Sequence, residues 1–120
     1  MKITSFSPLI VSNQADSVVQ LFEELGFEKR HQQTELMETG LGDVTMKDAN
    51  GNRVDVANST MLPRDLTLIR MNVDDFDEAF AMLTARGFKQ QGQTVETLSS
   101  KSAMMVSPSG FAFDLCQHIK

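Results

Sequence analysis

Apolar residues at Val18, Leu21, Phe22 and Leu25 stand at i, i+3, i+4 and i+7, the spacing of one helical face, and predict a helix over residues 14–25. Asn13 precedes it as a side-chain cap with Asp16 three residues on, and Gly26 follows where a left-handed terminal residue is wanted. About sixty residues later the pattern returns. Phe76, Ala79, Phe80 and Leu83 form a second stripe, Asp75 and Glu78 the second cap, and Gly87 the second stop, so a helix is predicted over residues 76–86. A strand over residues 3–11 leads into the first helix. Both helices end in Gly-Phe and run into polar extended stretches, residues 27–34 and 88–94. Further strands follow at 42–47 and 102–106, then turns at Asn50-Gly51 and Ser109-Gly110, then closing strands at 53–57 and 111–117. Residues 35–41 and 95–101 read as loops. The order is βαβββ twice: one α+β domain over residues 1–120, with module one at 1–58, a Pro63-containing linker at 58–65 and module two at 66–120, related by pseudo-twofold symmetry.

Composition narrows the picture. At 120 residues each half has roughly 60, near the lower limit for burying a core alone, so the halves need each other or a second chain, and a homodimer is expected. No apolar run spans a membrane. The start of the chain lacks a signal-peptide core, and one cysteine forms no internal disulfide; a cytoplasmic location is expected. Net charge −5 without a basic run points away from nucleic acid. Trp and Tyr are absent, and eight Phe and eight Met supply the bulk, Met being the adaptable filler of cores and permissive pockets.

The doubled order resembles the vicinal oxygen chelate superfamily, the glyoxalase, bleomycin-resistance and dioxygenase group. Val73-Asp74-Asp75, Gly87-Phe88 and the run from Ser107 to Leu115 fit its second module; Val11-Ser12-Asn13, Gly26-Phe27 and the run from Asp48 to Val56 fit its first. The resemblance implies curved mixed sheets around a cleft. It also implies metal-ligand positions, a His early in each module and a Glu in each closing strand. Counted back from Val11 and Val73, the His positions fall on Phe6 and Leu68, which cannot bind metal; the Glu positions hold Asp55 and Asp114. Two carboxylates without imidazole suit Zn, Ni or Fe poorly, so no metal, no cofactor and no catalytic residue are assigned.

Strand alternation puts Leu68, Arg70 and Asn72 on one face, which the resemblance marks as the cleft side, with Ile69, Met71 and Val73 beneath the helix. A guanidinium there suits a carboxylate or phosphate; it also suits a structural pair with Asp114 or Asp55, and Arg53 is a second candidate partner for a buried carboxylate. Asp114, Cys116 and His118 alternate along one strand, yet a small buried Cys is the simpler reading, and His31 reads as a surface residue. Met105 or its neighbour could line an apolar pocket. The expected function is binding of a small molecule, without metal, by Arg70, Asp55, Asp114, Leu68, Asn72, Phe6, Met105 and Cys116. The alternative is a metal-dependent lyase, isomerase or dioxygenase using Asp55 and Asp114.

Overall fold

The computed structural model describes residues 1–33, 43–60 and 63–118. In chain order the elements are β1 (Ile3–Ser12), α1 (Ala15–Glu24), β2 (Glu28–Gln33), β3 (Asp43–Lys47), β4 (Arg53–Asn58), β5 (Leu66–Val73), α2 (Phe76–Ala85), β6 (Lys89–Glu96), β7 (Ser100–Val106) and β8 (Ala112–His118). This is the expected α+β order, βαβββ twice. The strands predicted at both turns are joined as expected, while β6 runs on to Glu96, so the loop expected at 95–101 shrinks to a turn in which Thr97 Oγ1 accepts from the backbone N–H of Ser99 and Ser100. The loop expected at 35–41 lies outside the described residues.

Two compact units divide the chain: Ser7–Thr67, and Met1–Phe6 with Leu68–Lys120. The boundary runs through β1. In the Ser7–Thr67 unit the strand order is β2-β3-β4-β1, with β1 and β4 parallel and the other pairings antiparallel. In the other unit it is β1-β5-β8-β7-β6, with β5 and β8 parallel and β8, β7 and β6 antiparallel.

Each unit buries its helix against one face of its strands. Val19, Met46, Val54 and Val56 form the Ser7–Thr67 core, with Ile10, Ala15, Val18 and Phe22 packed around it. The predicted α1 stripe is therefore rotated: Val18 and Phe22 face inward with Ala15 and Val19, whereas Leu21 and Leu25 are 51% and 62% exposed. Asn13 is not the cap either. Gln14 holds that position without a side-chain bond, and Ser12 Oγ accepts from Gln14 N–H at 2.9 Å, one residue earlier than the sequence signal placed the turn. The second helix follows its pattern. Asp75 accepts from Glu78 N–H at 3.0 Å, and Phe76, Ala79 and Leu83 are buried with Met71, Val73, Ala103, Met105 and Leu115. Gln117 on β8 fixes the start of α2, accepting from Phe76 N–H at 2.7 Å and donating to the Asp74 carbonyl at 3.0 Å.

No helix among the described residues is long and apolar enough to cross a membrane.

Candidate functional site

Parity decides which side chains can meet a ligand. On β5, Met71 and Val73 belong to the α2 core, so Leu68, Arg70 and Asn72 occupy the opposite face. Register extends that face across four strands, β5, β8, β7 and β6. Arg70 lies opposite Asp114, Asp114 opposite Met104, and Met104 opposite Gln91; one step along, Asn72 lies opposite Cys116 and Cys116 opposite Ser102.

Arg70 Nε donates to Asp114 Oδ2 at 2.9 Å, with the side chains 13% and 18% exposed. The charges are thus paired across strands but not sealed from solvent. Leu68 and Cys116 on the same face are buried. Asn72 is 4% exposed; its Nδ2 donates to Ser5 Oγ, while its Oδ1 has no hydrogen-bond partner among the described residues. An orphaned buried carbonyl costs about 1–3 kcal/mol, so such an atom calls for an explanation.

The Ser7–Thr67 unit carries the counterpart row. Leu9 lies opposite Asp55, Asp55 opposite Thr45, and Thr45 opposite His31, whose side chain lies outside the described residues. Asp55 is fully buried and accepts two bonds from Arg53, Nε to Oδ1 at 3.0 Å and Nη2 to Oδ2 at 3.2 Å. Both predicted carboxylates are thus held by arginine, but by different routes: Arg53 sits two residues away on its own strand, Arg70 on the neighbouring one.

Two expected site residues belong elsewhere. Leu9 pairs with Asp55 as Arg70 pairs with Asp114, so Leu9 is the counterpart of Arg70, and the counterpart of Leu68 is Ser7 rather than Phe6. Counting back from Val11 was one residue out, and in a strand a one-residue slip changes the face. Phe6 meets Phe113, on the α2 side, edge-on at 6.5 Å and is 57% exposed. Met105 is fully buried in the α2 core. Its neighbour Met104 shares the face of Asp114, and the hairpin turn at Ser109-Gly110 already encodes this, since it pairs Val106 with Ala112 and hence Met104 with Asp114. Ser7, one residue beyond the expected Phe6, takes that place on the face. It is 3% exposed and its Oγ lacks a hydrogen-bond partner among the described residues.

The positions that correspond to metal ligands do not fit a metal. Leu68 offers no donor atom, Ser7 offers a hydroxyl, a weak ligand, and Asp55 and Asp114 are engaged by guanidinium groups that a cation would have to displace. Among the described residues no three His, Cys, Asp or Glu side chains gather in a metal-binding group. Of the Asp114, Cys116 and His118 set, Cys116 is buried and His118 is exposed at the end of β8.

These features are those of the vicinal oxygen chelate fold, two βαβββ units whose closing strands each carry a carboxylate on the face opposite the helix. A methylmalonyl-CoA epimerase shares this fold with TM-score 0.69 at 20% identity, over 95% of this chain and 94% of the epimerase. A glyoxalase/bleomycin resistance protein/dioxygenase superfamily member from Vibrio splendidus 12B01 shares it with TM-score 0.63 at 16% identity, over 97% and 99% of the two chains. A variant of the Streptomyces coelicolor methylmalonyl-CoA epimerase, solved in complex with 2-nitronate-propionyl-CoA, does so with TM-score 0.65 at 16% identity, over 97% and 98%. No protein-family model matches the sequence, and no curated protein matches it significantly.

Proposed function

We propose that the chain binds an anionic small molecule, without a metal, on the face of β5, β8 and β7 that turns away from α2, and that Arg70 makes the charged contact. The observation that carries this reading is the state of Arg70: a guanidinium held by Asp114 at 2.9 Å yet still 13% exposed, beside Leu68 and in the row of Met104. A ligand carboxylate or phosphate displaces Asp114 and takes a bidentate contact with the guanidinium, and the apolar part of the ligand lies over the Leu and Met side chains. Sequestration rather than catalysis is favoured by the same pairing, because each carboxylate that an acid–base or metal mechanism would use is engaged by arginine. The Streptomyces coelicolor complex supports the ligand class, since an acyl-CoA carries both phosphate charge and an apolar acyl group.

The test is a thermal-shift screen of short carboxylates, acyl-CoA thioesters and matched cationic amines, followed by calorimetry on the hits. Anionic compounds are expected to raise the melting temperature and amines to leave it unchanged. Arg70→Met, which roughly keeps the volume and removes the charge, is expected to weaken binding by about tenfold or more, the size of a lost hydrogen bond to a charged group. Shifts by amines alone, or equal affinity in Arg70→Met, would overturn the reading.

A further inference from the structure

Asn72 adds a second specificity to that face. Its side chain is 4% exposed, so both limbs of the carboxamide need partners. Ser5 takes one: Nδ2 donates to Ser5 Oγ, which ties the amide to β1 and turns the other limb away from that strand. Oδ1 is left without a partner among the described residues. Cys116 stands opposite Asn72 in the register, with Ser102 beyond it, and neither supplies a donor to Oδ1. An acceptor fixed in place, buried and unanswered is a poor structural choice, because Leu at this position would fill the space without the cost. It is a good recognition choice, because a site built to receive a hydrogen bond rejects an analogue that lacks the donor far better than an apolar pocket rejects a hydroxyl.

Arg70 and Asn72 are two residues apart on one strand face, about 6.5–7 Å at the backbone. We infer that the ligand carries, besides its anionic group, a neutral hydrogen-bond donor a few bonds away, and that Asn72 Oδ1 accepts from it. This rests on the Arg70 reading and refines it: the class is an acid bearing a hydroxyl or amide N–H, not a plain carboxylate. Asn72 acts as a specificity residue and Arg70 as the affinity residue.

The experiment is calorimetry with three series of probes on the parent protein, Asn72→Leu and Arg70→Met. The probes are ω-hydroxycarboxylates of four to six carbons, the carboxylates in which a methyl replaces the hydroxyl, and 4-oxopentanoate, which accepts but cannot donate. The parent is expected to bind the best hydroxy acid at least tenfold more tightly than its methyl analogue and than the oxo acid. Asn72→Leu is expected to bind hydroxy and methyl compounds alike while keeping a melting temperature no lower than the parent's. Arg70→Met is expected to weaken every series. Equal binding of hydroxy and methyl acids by the parent overturns the Asn72 inference, assigns Oδ1 to a structural water and leaves the anionic reading standing. A preference for the oxo acid overturns it by turning the amide around. Binding of none of the three series overturns both readings. The comparison within the parent protein decides the matter even if Asn72→Leu fails to fold.

Discussion

The same ion pair is built twice from different materials, and the two versions differ in what they cost to break. Asp55 is fully buried with Arg53 on its own strand. Removing the guanidinium leaves a carboxylate that has already lost its water, a loss of about 3 kcal/mol or more. Arg53→Met is expected to lower the urea midpoint by a corresponding amount, and the double variant Arg53→Met with Asp55→Asn to recover part of it; a double-mutant cycle measures the coupling. The Asp114 carboxylate keeps some contact with solvent whereas Asp55 has none, so Arg70→Met is expected to lower the urea midpoint less than Arg53→Met does, while ligand affinity falls. Much of this was legible in the sequence. Alternation on β5 identified the Arg70 face, and the need of a buried carboxylate for a partner pointed to Arg53 and Arg70. What was not legible was register. Counting along the chain gives Phe6, and a count carries no information on where a strand begins to pair. Apolarity alone cannot separate Met105 from Met104, because it does not distinguish the faces of a strand that carries Met on both.

At the scale of elements, repeats and stops were readable because they rest on local chemistry. Gly26 and Gly87 take φ of 103° and 93° just past their helices, where a Cβ is strained. They are not equal. A Cβ on Gly26 meets nothing within 4 Å, whereas one on Gly87 comes within 3.0 Å of Pro108 Cγ. Gly26→Ala is expected to cost about 1 kcal/mol, near the left-handed penalty for a residue with a Cβ, and Gly87→Ala measurably more, by thermal denaturation. The Asp48 turn gives a pH prediction. The Asn52 side-chain amide, donating at 2.7 Å, holds the Asp48 carboxyl below its ordinary value of 3.8, and the backbone N–H groups of Asn52 and Asn50 add to this. A carboxyl lowered on folding stabilises the fold above its unfolded value, and that contribution disappears as pH falls through the folded one. The stability difference between the parent and Asp48→Asn is therefore expected to be constant from pH 5 to 7 and to narrow below about pH 4 in denaturant titrations. The α1 stripe misled because Leu21 and Leu25 match the helical spacing as well as Ala15 and Val19 do; the packing of Val54 and Val56 beneath the helix chose between them.

For the whole molecule, each unit owns a separate core, and each half has few residues with which to build one. We expect two copies of the chain to associate, with light scattering giving about twice the 13.3 kDa of one chain at micromolar concentration; a mass of one chain would refute this. The division of β1 after Phe6 has a consequence for the order in which the fold is made. Ser7–Thr67 is one contiguous stretch, so its pairings close shorter loops than those that tie Met1–Phe6 to residues beyond Leu68. The other unit recruits Met1–Phe6 from the far side of that stretch: Asp74 N–H donates to the Lys2 carbonyl at 3.0 Å, and Asn72 reaches Ser5 across 67 positions. Joining ends so distant carries a larger loop-closure entropy in an open chain, and a smaller one once the intervening residues have paired. The short-range pairings are therefore expected to form first, and pulse-labelled amide exchange during refolding is expected to protect β3 and β4 before β5 and β8.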